Sequence, residues 1–345
     1  MLGDIDRQLA ALTLPDTGQL QLDGAQLANM DSIGSLLLQR RLQKSRDQGV
    51  AIKLLAWPAP YQQLMELVSK IKPPMAPPVP ALSVLERLGK QAEAAWQDSL
   101  ALFSFIGETA LTVAALVRHP QRWRWRPILH NIQIAGFEAL PIVGITSFLL
   151  GIVIAYQGAD QLKHYGANIF VVELVGYAML REFSPLITAI IIAGRSGSSY
   201  AAQIGTMVVT EEVDALRTIG IVPIDLLVIP KIIALMVALP LLTLFADAVG
   251  VLGGMVMARS QLGVGFYEFI ARFGTEIPLK TLLIGIGKAL VFAVVIAVIG
   301  CFQGFRTEGN ADSVGRQTTR SVVQSIFVVI VLDAVFSIVF NLLDL

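Results

Sequence analysis

Five ionisable side chains stand inside long apolar runs of this 345-residue chain: Arg181 and Glu182 in one run, Asp247 in the next, Lys288 in a third and Asp333 in a fourth. A lone charge at mid-bilayer costs on the order of 3 kcal/mol, so such residues usually pair inside a helix bundle. At a rise of about 1.5 Å per residue, Glu182, Asp247, Lys288 and Asp333 fall within about 5 Å of one another in depth. We predict that Glu182, Lys288 and Asp333 form a charge cluster. It is either a structural ion-pair lock, a proton or ion relay, or a set of polar contacts to a lipid headgroup.

Other sequence patterns that could do chemistry are incomplete. The stretch 285–289 (GIGKA) resembles part of a phosphate-binding loop, but Leu282 stands where the first glycine is required and Ala289 where Ser or Thr is required. The stretch 194–197 (GRSG) lacks the spacing of a nucleophile elbow. The three histidines are scattered and Cys301 is the one cysteine, so no metal cluster is expected. We predict no catalytic residue, no metal and no cofactor on this chain.

The overall composition indicates a membrane protein. Hydrophobic residues make up 54% of the chain and charged residues 15%, whereas ordinary soluble domains have about 25% charged residues. The formal net charge is zero, so no basic field argues for nucleic acid as a partner. Arginines alternate with tryptophans over 118–126, which is typical of a belt at the membrane interface. The first thirty residues hold no sustained apolar run, so we expect no signal peptide and a cytoplasmic N-terminus.

Apolar runs long enough to cross a bilayer, for which about 20 residues suffice, predict five membrane-spanning helices. They cover 137–158, 170–193, 231–258, 279–302 and 322–343. The loops 194–230 and 303–321 fall on one side and carry most of the arginines, which makes that side cytoplasmic and the C-terminus external. The segment 98–134 is more amphipathic and is interrupted at Gly107 and Glu108, so we predict an interfacial helix there.

Residues 194–223, called here the coupling segment, lie between the second and third predicted spans. Their small, charged and apolar residues are mixed at roughly helical spacing, and Pro223 ends the pattern. The segment is too polar to span and is tied to a span at each end. We therefore predict a helix at the membrane surface that transmits force to the bundle.

The N-terminal part differs in composition from the rest of the chain. Residues 1–72 predict a strand, a helix, a second strand and a second helix, which make a small α/β unit. Residues 73–97 begin with a proline-rich stretch and are predicted to be a linker to the membrane region, 98–345. The predicted fold class is a mainly α-helical membrane protein with five transmembrane helices, interfacial and coupling helices, and a small N-terminal α/β domain.

Motifs spread over the membrane region resemble those of the MlaE-type permeases, the membrane subunits of ABC transporters that move phospholipid between the envelope membranes of Gram-negative bacteria. The resemblance covers about 98–345. It rests on the stretches 180–186 (LREFSPL), 193–198 (AGRSGS), 210–216 (TEEVDAL), 304–306 (GFR) and 314–320 (VGRQTTR), on Gln157-Gly158, and on Lys288 and Asp333. Asp247 matches no position of the family pattern.

The resemblance implies a homodimer in the inner membrane with a separate ATPase, which uses ATP and Mg²⁺, under each copy. The ATPase would contact the coupling segment through Glu211, Glu212, Asp214 and Leu216. A phospholipid would bind between the two copies, beneath a periplasmic MCE-type lipid-binding protein. The residues expected to line that lipid pocket are Leu149, Val153, Tyr156, Arg181 and Glu182.

Residues 1–72, with Asp31-Ser32-Ile33-Gly34, are similar to a STAS domain. In related transporters a separate STAS subunit sits on the ATPase, so the resemblance implies a fused STAS-like domain with Ser32 at the ATPase contact. The position that is often phosphorylated in signalling STAS domains corresponds to Ile33, which has no hydroxyl group.

Two other functions stay open from the sequence. A STAS-bearing secondary anion transporter would move its cargo without an ATPase, although such proteins usually carry the STAS unit after ten or more spans. A non-transporting membrane anchor would recruit partners through residues 1–72, and it would leave the intramembrane charges unexplained.

Overall fold

The computed structural model describes residues 19–27, 29–47, 49–70, 83–118 and 125–343. The chain divides into two compact units, Met1–Arg87 and Leu88–Leu345. The boundary between them falls inside the segment 73–97 that the sequence predicts to be a linker.

The N-terminal unit has the predicted order of strand, helix, strand and helix. Its elements are β1 (Gln19–Asp23), α1 (Ser32–Asp47), β2 (Ala51–Leu55) and α2 (Ala59–Lys70). The two strands pair in parallel, with Gln19 opposite Ala51. Alternate residues of both strands pack on a core of Leu42, Trp57 and Met65. A parallel pair requires a crossover, and α1 supplies it.

The second unit is helical. Its helices are α3 (Val84–Arg118, which begins in the first unit), α4 (Trp125–Ala135), α5 (Leu140–His164), α6 (Asn168–Val209), α7 (Glu212–Thr218), α8 (Ile224–Leu262), α9 (Phe266–Glu276), α10 (Leu279–Phe305) and α11 (Ala311–Leu342). Within the described residues, six helical stretches are long and apolar enough to cross a membrane: Leu85–Leu116, Trp125–His164, and the helices α6, α8, α10 and α11. The predicted fold class is confirmed, although five spanning helices were expected.

The additional stretch belongs to α3. Gly107 and Glu108, the predicted interruption of the apolar run, lie inside one continuous helix. Their effect on the helix is small because a single glycine in a helix interior costs only about 1 kcal/mol.

The coupling segment also differs from the single surface helix that was predicted. Helix α6 continues through Gly194 and Gly197 and ends at Val209, and only the short α7 is a separate helix. At Gly197 the reason is close packing of α10, because a Cβ added at Gly300 would lie 2.8 Å from the carbonyl oxygen of Gly197. A Cβ added at Gly194 would meet no described atom within 4 Å.

Close backbone packing also joins α5 to α8. A Cβ atom added at Gly253 would lie 2.1 Å from the carbonyl oxygen of Phe148, and one added at Gly151 would lie 1.9 Å from that of Gly250. Small residues allow such contact where helices cross inside a membrane.

Side-chain contacts identify two opposite ends of the helical bundle. At one end, Lys231 Nζ donates to Gln203 Oε1 at 2.7 Å, and Ser321 Oγ donates to the Gly197 carbonyl oxygen at 3.3 Å. At the other end, Lys163 Nζ donates to Gln261 Oε1 at 3.2 Å. The coupling segment and the 306–310 loop therefore lie at the first end, and the loops before α6 and after α8 lie at the second.

Candidate functional site

The structure brings Glu182, Lys288 and Asp333 together from three helices, α6, α10 and α11. Lys288 Nζ lies 2.6 Å from Glu182 Oε2 and 3.1 Å from Asp333 Oδ1. The side chain of Lys288 is fully buried, whereas that of Glu182 keeps 33% of its surface exposed. We refer to these three residues as the charge cluster.

A fourth residue, Ser337, contacts the charge cluster and was not predicted from the sequence. Its hydroxyl donates to Glu182 Oε2 at 2.9 Å and lies 3.4 Å from Lys288 Nζ. Ser337 follows Asp333 by one helical turn, so it lies on the same face of α11. The four-residue spacing from Asp333 is the sequence signal that could have identified Ser337.

Local features of α6 and α10 position the charge cluster. Residues Ala178–Phe183 of α6 form a π-helical segment, which displaces Glu182 from ordinary α-helical register. One turn before Lys288, Gly285 lets α10 approach α6 so closely that an added Cβ would lie 2.1 Å from the Leu180 carbonyl oxygen. The short distance allows the lysine side chain to reach the carboxylate.

Arg181 lies beside the charge cluster. Its Nε is 3.5 Å from Glu182 Oε1, on the side of the carboxylate away from Lys288. Two cations and two carboxylates thus meet at this level with no net charge when all are ionised. Such a set of ion pairs can stabilise the bundle. Alternatively, one of its side chains can leave its ion pair and contact a lipid headgroup.

The other predicted lipid-pocket residues lie on α5. Leu149, Val153 and Tyr156 are 54%, 45% and 50% exposed and share one face of that helix. Leu149 also lines an open apolar groove of about 610 Å³ together with Phe148 and Phe245.

The predicted ATPase-contact residues surround the turn between α6 and α7. Glu211 adopts a left-handed conformation with φ of 61°, which only a few per cent of residues other than glycine do. Glu212 accepts a hydrogen bond from Thr210 Oγ1 at 3.0 Å, and Asp214 pairs with Arg217 at 3.2 Å.

The three carboxylates of this turn are exposed, and Leu216 is half-buried. Two further apolar side chains, Ile219 and Val222, are 69% and 48% exposed and were not predicted. Buried Val213 attaches α7 to the rest of the unit. The segment therefore presents acidic groups at the start of α7 and apolar groups after its end.

Ser32 is the first residue of α1, in the N-terminal unit. Its side chain is exposed, and its carbonyl oxygen accepts a hydrogen bond from Ser35 Oγ at 2.9 Å. The adjacent Ile33 is 45% exposed. Both side chains at this end of α1 are therefore exposed on the surface of the N-terminal unit.

Asp247 does not join the charge cluster. It is 4% exposed, and among the described residues neither carboxyl oxygen has a hydrogen-bond partner of acceptable geometry. The hydroxyl of Ser184 is the donor that approaches it. A buried carboxylate with so little compensation is unfavourable, so the neutral acid is expected.

Asparagine has the shape of the neutral acid, so Asp247→Asn is expected to change the melting temperature by less than about 3 °C. Asp247→Lys is expected to prevent accumulation of folded protein, because it places an unpaired cation in the same position. Thermal unfolding of the purified chain in detergent measures both effects. A large loss of stability in Asp247→Asn would show that the ionised form is required.

Comparison with known proteins agrees with this architecture. The family model described as "Permease MlaE" matches residues 128–339. A probable ABC transporter permease protein of Rickettsia typhi is 34% identical over 231 residues, covering 67% of this chain and 86% of the relative. A probable ABC transporter permease protein of Synechocystis is 38% identical over 206 residues, covering 60% and 78%. The chloroplastic protein TRIGALACTOSYLDIACYLGLYCEROL 1 of Arabidopsis thaliana is 34% identical over 213 residues, covering 62% and 61%.

The helical bundle and these relatives define a multi-pass membrane protein of the ABC transporter permease class. The chain belongs to the MlaE permease family.

Proposed function

We propose that this chain is the membrane subunit of an ABC transporter that moves phospholipid between the inner and outer membranes. A separate cytoplasmic ATPase supplies the energy with ATP and Mg²⁺. The observation that carries the proposal is the continuity of α6, which holds Glu182 of the charge cluster and ends at Val209, beside the turn that the ATPase would contact. One helix thus connects the surface that the ATPase would contact to the membrane interior.

The coupling segment fits an ATPase contact in both charge and position. Glu211, Glu212 and Asp214 are exposed before and within α7, and the apolar Ile219 and Val222 are exposed after it. Exposed carboxylates are complementary to a basic surface on a partner, which favours specific docking. In the N-terminal unit, Ser32 would provide a second ATPase contact if this unit acts as a STAS-like domain.

Lipid as the cargo is supported by the apolar face of α5 and by the Arabidopsis relative, whose name contains a glycolipid. In a homodimer, the faces carrying Leu149, Val153 and Tyr156 would enclose the acyl chains, and Arg181 and Glu182 would lie near the headgroup. The guanidinium of Arg181 suits a phosphate because it can donate two parallel hydrogen bonds. A periplasmic MCE-type protein would receive or deliver the lipid.

The proposed orientation places the coupling segment in the cytoplasm and α11 ending in the periplasm. It requires α3 to lie along the membrane surface. Two contacts support this: Asp98 pairs with Arg306 at 2.6 Å, and the ring of Phe105 lies 5.7 Å from that of Phe302. Asp98 and Phe105 are seven residues apart on α3, yet both contact side chains in the last turn of α10. The two helices therefore cross obliquely.

Reversal of the acidic turn tests the proposal. The variant Glu211→Lys/Glu212→Lys should abolish stimulation of the ATPase in nanodiscs, a loss of at least about tenfold, because it replaces attraction by repulsion at the docking surface. The measurement is ATP hydrolysis by the reconstituted pair. Mass spectrometry of the purified complex should also detect bound phospholipid.

The matched control is Asp160→Lys/Glu276→Lys, which makes the same charge change at two exposed positions at the opposite end of the bundle. It should retain stimulation. Full stimulation of the ATPase by the 211/212 variant would contradict the proposed contact. Transport without an ATPase would instead favour a secondary transporter, and normal lipid distribution in a deletion strain would favour a non-transporting anchor.

A further inference from the structure

A second cavity lies at the end of the bundle that carries the coupling segment. It has a volume of about 520 Å³ and is enclosed by α3, α10 and α11. The residues that matter for its chemistry are Phe302, Gln303, Arg306, Arg320, Gln324 and Phe327. None of them belongs to the predicted lipid pocket on α5 or to the charge cluster.

The polar part of this cavity holds an unsatisfied acceptor. Gln303 is 6% exposed and donates through Nε2 to Gln324 Oε1 at 2.5 Å. Its own Oε1 is buried and has no partner among the described residues. Buried amide oxygens are normally hydrogen-bonded, but this one has almost no surface open to the cavity, so the Gln303–Gln324 pair forms part of the cavity wall.

The charges of the cavity leave one cation available. Asp98 is its acidic residue, and it pairs with Arg306 at 2.6 Å. Arg320 is exposed and forms no ion pair within the described part of the chain. An anion would therefore be attracted to the Arg320 side of the cavity, and Asp98 would not oppose it because its charge is already compensated.

The cavity changes from polar to apolar along α11. Arg320, Gln324 and Phe327 line it in that order, and seven residues of helix span roughly 10 Å. Phe327 is 66% exposed, and Phe302 lies opposite on α10. A cationic mouth followed by an apolar wall matches an amphiphile with an anionic head and an acyl chain.

We propose that this cavity binds an anionic phospholipid, such as phosphatidylglycerol, from the leaflet beside the coupling segment. The phosphate contacts Arg320, and an acyl chain packs on Phe302 and Phe327. The site is present in a single copy of the chain, so it depends neither on dimer formation nor on the direction of transport.

Thermal unfolding of the full chain in detergent, with added lipid, tests the site. Phosphatidylglycerol should raise the melting temperature in a saturable way, because a ligand that binds the folded state stabilises it. Phosphatidylcholine and inorganic phosphate should not. Arg320→Gln should weaken phosphatidylglycerol binding by about tenfold, the effect of losing one charge-assisted hydrogen bond.

The matched control is Arg316→Gln, which removes a positive charge one turn earlier on the same helix from a residue that pairs with Glu308 and does not line the cavity. It should bind phosphatidylglycerol as the unmodified chain does.

Three outcomes would overturn the proposal. Equal weakening by Arg316→Gln would indicate nonspecific attraction to surface charge. Equal stabilisation by phosphatidylcholine would show that the cavity selects only acyl chains, and stabilisation by inorganic phosphate alone would identify an anion site without a lipid. Where a variant unfolds before lipid is added, native mass spectrometry of Arg320→Lys, which keeps the charge, should show retained phosphatidylglycerol.

Discussion

Replacing Lys288 with methionine is expected to lower the melting temperature of the purified chain by more than about 8 °C. The change leaves Glu182 and Asp333 in the charge cluster without the cation that lies 2.6 and 3.1 Å from them. Breaking a buried pair by removing one partner typically costs about 3–5 kcal/mol. The partial exposure of Glu182 places the expected loss at the lower end of this range. Thermal unfolding in detergent measures the effect.

The triple variant Lys288→Met/Glu182→Gln/Asp333→Asn separates the roles that the charge cluster can have. It removes Lys288 together with both of its carboxylate partners and leaves the 24% exposed Arg181 as the remaining charge, so its melting temperature should return part of the way towards that of the unmodified chain. If the cluster is only an ion-pair lock, lipid transport in nanodiscs should return as well. If it relays protons or ions, or contacts the headgroup, transport should stay abolished. An unchanged melting temperature in Lys288→Met alone would contradict the ion pairs themselves.

Gly253→Ala is expected to prevent α5 and α8 from packing and to remove most of the folded, monodisperse protein. The new Cβ atom would lie 2.1 Å from the carbonyl oxygen of Phe148, a backbone atom that cannot move without displacing the helix. Overpacking of this kind costs about 1–3 kcal/mol where side chains can adjust, and more where they cannot. Size-exclusion chromatography and thermal unfolding are the measurements.

Gly287→Ala is the matched control for this prediction. Gly287 also lies inside a membrane-spanning helix, α10, but a Cβ added there meets no atom within 4 Å. Alanine should be neutral or slightly stabilising at this position, because it favours the helix by about 1 kcal/mol over glycine. Equal loss of protein in both variants would show that the effect comes from glycine replacement in general.

The charge cluster could be predicted because it depends on two simple regularities. A helix has a fixed rise, so the depth of each residue follows from the ends of the spans, and opposite charges in lipid must meet. Arg181, by contrast, could not be assigned to one side of Glu182 from the sequence. Its orientation depends on the π-helical segment Ala178–Phe183, for which no sequence signal was recognised.

The extent of α6 could not be predicted for a related reason. Gly194, Gly197 and their polar neighbours indicated the end of a helix, since such residues favour turns in isolation. In the structure both glycines lie inside α6, and α10 packs closely against Gly197, so tertiary contact outweighs local preference there. The α/β unit was predicted more completely because alternation and turn residues are local signals.

The sequence of helix α3 does not by itself determine whether the helix crosses the membrane. Its length and composition allow it to cross a membrane, yet only 6% of its most apolar stretch is buried in the chain. Hydropathy alone does not distinguish a helix that crosses a bilayer from one that lies in its surface, since both present apolar area to lipid. The contacts of Asp98 and Phe105 with the end of α10 are the structural observations that bear on this choice.

The 42 residues of α6 correspond to roughly 63 Å, about twice the thickness of the hydrocarbon core. A hydrogen-bonded helix resists bending, so a displacement imposed at Val209 would travel along α6 towards Glu182. The π-helical segments Ala178–Phe183 and Ala193–Gly197 interrupt its regular hydrogen-bond ladder and are the places where it can bend. One helix with two defined bending points therefore joins the coupling segment to the charge cluster.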